Sequence, residues 1–182
     1  MRVAFGVDGV LRDLMTAYVP HVGKTLADVT SYEQAIAFAG SLGSFLKILD
    51  KQHCWVAAGA YSTMVEISRK LPRVVQGVRV LIVTAAGTFV GQQETLTWLR
   101  YNDVPFEELH LCSDKLAVAF DAIIEGNPAT AIAAAKAGRA AFLVRRPWTT
   151  DVRRRTNLFL LPEDQEAWPI IQEVLAGRLS KP

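Results

Sequence analysis

The sequence predicts an α/β protein: a parallel sheet flanked by helices, with a small helical cap inserted after the first strand. Three observations carry this. An apolar, β-branched run from Arg2 to Val7 stops at Asp8-Gly9, as a buried strand entering a turn does. From about Leu11 to Gln76 the apolar residues take helical spacing instead. From Val78 onward, short apolar runs alternate with helical stretches, the pattern of a parallel sheet with right-handed crossovers.

Each element has its own signal. In the inserted stretch, Ala35, Ile36, Phe38 and Ala39 form one apolar patch, Phe45, Leu46, Ile48 and Leu49 a second, and Tyr61, Met64, Val65 and Ile67 a third. Gly40, Gly43 and Gly59 punctuate them and Pro20 bends or ends the first segment, so about four short helices are expected. Val78 to Val83 is a buried strand that stops at Thr84, and a helix follows over roughly Phe89 to Tyr101. Glu108 to Cys112 and Phe120 to Glu125 are further strands. Ala129 to Ala137 is an alanine-rich helix with Gly138 just past its end, where a left-handed residue is needed. Ala140 to Val144 is a strand, Arg145 to Trp148 a loop, Asn157 to Leu161 an edge strand and Asp164 to Leu175 a closing helix. The expected organisation is a core of residues 1–11 and 77–182 and a cap of residues 12–76.

Composition narrows the function classes. With 51% hydrophobic and 21% charged residues the chain can bury a substantial core and is not a disordered protein. Twenty basic against eighteen acidic residues, a net charge of +2, do not mark a general nucleic-acid or membrane binder. Cys54 and Cys112 are too few for a disulfide framework or a zinc site, which fits a reduced, cytoplasmic setting. No apolar run approaches the ~20 residues that cross a bilayer. Acid and glycine interrupt the first apolar run too early for a signal peptide.

Parallel sheets of this kind bind ligands beyond the carboxyl ends of their strands. The informative places are therefore Gly6 to Asp8, Thr84, Lys115, and Glu125 to Asn127. In this order they resemble the haloacid dehalogenase (HAD) superfamily of phosphohydrolases. Phe5-Gly6-Val7-Asp8-Gly9-Val10 matches its first motif, Asp-x-Asp-Gly-Val/Thr after a strand, at every position but the first aspartate. Leu81-Ile82-Val83-Thr84 matches the second, Lys115 the third, and Ile124-Glu125-Gly126-Asn127-Pro128 part of the fourth. Arg146-Pro147-Trp148-Thr149 and the helical insertion are similar to the 5′(3′)-deoxyribonucleotidase branch. The resemblance implies a Rossmann-like core and spans almost the whole chain.

It also implies roles. In that family one aspartate attacks phosphorus, a second acts as general acid and base, a threonine and a lysine hold the phosphate, and Mg²⁺ bridges the carboxylates. Carried over, Asp8 stands at the acid/base position, and Thr84, Ala85 and Lys115 at the phosphate. Gly6 stands at the nucleophile and Gly126 at a metal aspartate, both without side chains. Glu125 and Asn127 remain as weak metal candidates, and a carboxylate one residue along a strand is expected to face the other way. With both carboxylates absent, Mg²⁺ is not expected. A crevice keeping Lys115 is expected to be more positive and able to hold an anion without metal.

Plainer readings stand beside these. Asp8 serves equally as a turn residue and Thr84 as a helix cap, while Lys115 could be an ordinary solvated lysine. Trp55 and Tyr61 are candidates to stack on a base, or are cap core. His21, His53 and His110 lack ligand spacing. Arg153 to Arg155 form a solvated loop or, with Arg145 and Arg146, meet an anionic partner. Three functions follow: a degenerate nucleotidase-like protein binding a nucleotide, a phosphate ligand or a protein partner, a second copy included; an active phosphomonoesterase using Asp8 by an altered route; or a structural protein with a vestigial pocket. A membrane or nucleic-acid partner is not expected.

Overall fold

The computed structural model describes residues 1–179. Six strands, β1 (Arg2–Phe5), β2 (Arg79–Thr84), β3 (Glu108–Leu111), β4 (Ala122–Glu125), β5 (Ala140–Val144) and β6 (Leu158–Leu161), form one sheet in the order β3-β2-β1-β4-β5-β6. Every neighbouring pair is parallel. The chain runs outward from β1 to β3, returns to the centre at β4, and runs outward again to β6. The order therefore reverses between β1 and β4, which opens a crevice beyond their carboxyl ends.

Alternation along the strands fills both faces. Val3, Phe5, Val80, Ile82, Ile124 and Phe142 pack with helices α5 (Ser62–Val74), α6 (Phe89–Tyr101) and α8 (Ala167–Leu179). Ala4, Leu81, Val83, Ile123, Ala141 and Leu143 pack with α7 (Pro128–Lys136) through Ala131, Ala134 and Ala135. Alanine on this face of α7 lets helix and sheet approach closely. Pro128 opens α7 where no N–H is needed, and Gly138 follows it at φ 80°.

Between β1 and β2 lie α1 (Leu14–Tyr18), α2 (Tyr32–Phe38), α3 (Leu42–Lys51) and α4 (Cys54–Ala57). Serines at 31 and 41 cap α2 and α3 by accepting from the Gln34 and Ser44 amides, which sets where these short helices begin. Their apolar faces make a third cluster, with Tyr18, Phe45, Leu49 and Trp55 at its centre and Trp148 joining from the core. Pro20 does end the first helix, and the chain continues as a short 3₁₀ turn, Val19–Val22. The structure divides the stretch expected as a cap: α5 sends Met64, Val65, Ile67 and Leu71 into the sheet's own core, so only the segment through α4 packs as a separate cluster. Arg146-Pro147-Trp148, expected as plain loop, leads into a 3₁₀ turn over Pro147–Thr149 with Trp148 buried.

Candidate functional site

The crevice is built at the ends of β1 and β4. Their register pairs Ala4 with Ile123 and Phe5 with Ile124, so the next residues, Gly6 and Glu125, come side by side on the same face. Glu125 is 1% exposed. Its two carboxylate oxygens each lie 3.0 Å from the point where a Cβ on residue 6 would stand. The expectation that Glu125 faces away from the site is therefore corrected. Cross-strand register places it over Gly6.

Three donors hold that carboxylate. Lys115 Nζ donates to Oε2 at 2.7 Å, and the Gly126 and Asn127 amides donate to Oε1 at 2.9 and 3.1 Å. The lysine reaches in from a 3₁₀ turn, Lys115–Ala117, whose start is capped by Asp114 accepting from the Leu116 amide. Its side chain is 13% exposed, so it is not the solvated lysine of the plain reading. The expected surplus of positive charge is likewise corrected, because Glu125 offsets Lys115 directly.

Asp8 is held from the other side. Arg12, fully buried, places Nη2 2.7 Å and Nε 2.8 Å from Asp8 Oδ1. The same guanidinium donates through Nη1 to the Trp55 carbonyl and to Thr95 Oγ1, between the rings of Trp55 and Trp98 at 5.3 and 5.6 Å. This arginine ties the β1 loop, α4 and α6 together, and the sequence reading missed it. Its signal was an arginine directly after the apolar pair Val10-Leu11, four positions after an aspartate.

Two more side chains clamp the loop backbones. Arg146 Nε donates to the Gly9 carbonyl and Trp148 Nε1 to the Gly126 carbonyl, each at 2.9 Å. Tyr32 donates to the Asp8 carbonyl at 3.2 Å and meets Trp148 edge-on. Burial is the main cause that drives the Tyr32 phenol well above its usual pKa, so it is a hydrogen-bond donor here and not an acid. Beside this corner lies a small cleft of about 150 Å³ between Tyr32, Asn127 and Trp148.

The remaining candidates fall apart. Thr84 is buried at the end of β2, but the register that pairs Phe5 with Ile82 places it beside Val7, on the opposite face from Gly6. Ala85 follows it at the surface. Trp55 is 2% exposed, donates through its indole N–H to Asp50, and packs on Arg12, so no face is left for a base. The Arg146 guanidinium covers the Tyr61 ring at 3.4 Å. Asn127 is spent as the cap of α7, with Oδ1 accepting from the Ala129 and Thr130 amides. Exposed Arg153, Arg154 and Arg155 lie on the approach to β6, away from the crevice end of the sheet. His53 and His110 pair with Glu94 and Glu108.

The donor set does not suit the Mg²⁺ implied by the resemblance. Mg²⁺ needs hard oxygens free to coordinate it. Gly6 and Gly126 supply none, Glu125 is already triply bonded, and Asn127 caps a helix. Among the described residues no group of three or more His, Cys, Asp or Glu is placed to hold a metal ion.

Neither a protein-family model nor a curated protein matches the chain. Solved structures do. One, described as the crystal structure analysis of a dehalogenase, aligns over 93% of this chain and 96% of its own, with a TM-score of 0.58 and 14% identity. Another, a dehalogenase with an intermediate complex, aligns over the same shares with a TM-score of 0.60 and 14% identity. The chain therefore has a haloacid-dehalogenase-like fold, a Rossmann-like parallel sheet with helices on both faces. At this identity the likeness speaks for fold alone.

Proposed function

We propose that this chain is a non-hydrolysing, nucleotidase-like protein that works through what it binds. The observation that carries the reading is Glu125 lying against Gly6. Covalent catalysis on this fold needs a carboxylate free to attack, activated by its surroundings. Residue 6 has no side chain, and the carboxylate that fills its place is buried and triply bonded. Asp8, the remaining acid/base candidate, has one oxygen committed to a buried guanidinium, which argues against the altered hydrolytic route. Groups that act as a unit in catalysis are lost together, commonly at a cost of several orders of magnitude in rate.

The test is turnover. The purified chain is assayed for phosphate release from a panel of nucleoside monophosphates with Mg²⁺, and for halide release from short 2-halo acids, since the matching structures are described as dehalogenases. No release above the protein-free rate is expected, and neither Mg²⁺ nor EDTA should move the melting temperature. Multiple turnovers on any of these substrates would overturn the reading.

A further inference from the structure

We propose that the edge strand β6 carries a self-complementary charged surface whose partner is a second copy of this chain. β6 lies at one edge of the sheet, and its Phe159 and Leu160 are half-buried. The chain before it holds Arg153, Arg154 and Arg155, and the chain after it Glu163, Asp164 and Glu166, all exposed. Among the described residues no acid pairs with any of the three arginines, and of the three acids only Glu163 has a basic partner, Arg146 at 3.2 Å. Both ends are built. Arg155 and Leu158 exchange backbone hydrogen bonds of 3.4 and 3.0 Å, closing a tight turn in which Asn157 takes a φ of 60°. Beside that turn a cleft of about 330 Å³ is lined by Lys136 and Arg155 and by no acidic residue. At the other end the Asp164 carboxylate accepts from the Glu166 amide at 3.0 Å. The two runs sit at opposite ends of one strand, so they cannot neutralise each other within a chain. They also lie equally far in sequence from the middle of β6, residues 153–155 on one side and 164–166 on the other. A two-fold axis at that midpoint sets two β6 strands side by side and antiparallel, each basic run against the acidic run of the second copy. The contact is made twice and closes as a dimer. Main-chain pairing contributes little to it, because Arg155 already bonds Leu158 and Pro162 has no N–H to give. Side-chain charge therefore holds the pair, and salt weakens it.

The surface stands apart from the crevice, so its failure would leave the non-hydrolytic reading in place. The test is sedimentation of the full chain over a concentration series, at about 0.01 M and about 1 M salt, where charges reach roughly 30 and 3 Å. In low salt the mass should rise with concentration from 20.0 kDa towards twice that value, and in high salt it should stay at the monomer. Arg153→Glu/Arg155→Glu and Asp164→Lys/Glu166→Lys each set like charges face to face and should weaken association at least about thirtyfold. Mixed in equal amounts, these two variants should pair with each other, because both contacts are then restored in the opposite sense. Arg73→Glu/Arg100→Glu makes the same change in net charge with exposed residues of α5 and α6, and should associate as the wild type does. Should Asp164→Lys disturb folding, Asp164→Asn/Glu166→Gln keeps the hydrogen-bond acceptor and should still weaken the pair. A wild type that remains monomeric at every concentration in low salt overturns the surface. So does association that the charge reversals leave unchanged, or a mixture that stays monomeric. Species heavier than a dimer overturn the closed two-fold arrangement.

Discussion

Gly126→Ala is the sharpest test of the crevice geometry. A Cβ on residue 126 would stand 2.8 Å from the Gly9 carbonyl carbon, 2.9 Å from the Gly9 oxygen and 3.0 Å from the Asp8 oxygen. All three are backbone atoms, and the backbone cannot easily yield. The Gly9 carbonyl is fixed by Arg146 and the Gly126 carbonyl by Trp148. Overpacking of this kind costs about 1–3 kcal/mol, against which the reduced freedom of the unfolded chain returns about 0.4–1 kcal/mol. The net loss should lower the melting temperature by several degrees, roughly 2–4 °C per kcal/mol at this length. Gly43→Ala is the control. It lies within α3 with only Ser41 Oγ, at 4.0 Å, near its would-be Cβ, so alanine should stabilise by up to about 1 kcal/mol. Urea denaturation of both variants reads the difference. A Gly126→Ala protein as stable as the wild type would refute the packing.

Other outcomes follow from the same geometry. Arg12→Met should cost about 3–5 kcal/mol, because it strips Asp8 of its partner and leaves the Trp55 carbonyl and Thr95 without a donor; Arg12→Lys should recover little, since one ammonium cannot serve three sites, and full recovery by lysine in urea denaturation would refute this. Burial pushes the Cys54 thiol up to about 11, and the residue is 1% exposed, so an aromatic disulfide reagent at pH 8 should titrate Cys112 first and Cys54 only in denaturant; two equally fast thiols would contradict this. The Glu108 carboxyl is held below its usual 4.5, chiefly by its hydrogen bond with His110 and also by Arg2 and Arg79. A depressed carboxyl contributes stability above its unfolded pKa and loses it as pH falls through the folded one. Melting temperature should therefore fall more steeply in acid for the wild type than for Glu108→Gln, and parallel curves would remove this residue from the acid response.

The backbone plan was legible in the chain. The unbroken apolar runs at Val3 to Phe5, Val80 to Val83 and Ala140 to Val144 mark strands buried on both faces, and Gly138 marks the end of α7. Alternation of strand and helix then implied a parallel sheet, and with it a crevice at the strand ends holding Gly6, Asp8 and Glu125. Which of these side chains meet was another matter. Glu125 reads from its own strand as pointing away from Gly126, and only the pairing of β1 with β4 sets it over Gly6. The separate register of β1 with β2 takes Thr84 to the far face. Arg12 gains its role only where α4 and α6 close around it, and Trp55 loses its free face to that same guanidinium. Gly126 drew notice for a carboxylate it lacks, whereas the fold uses it because the Gly9 backbone passes too close for any side chain. Side-chain direction along a strand or helix is set by neighbours in the chain. Contact across a sheet depends on register between segments far apart in sequence, and only the folded chain fixes that.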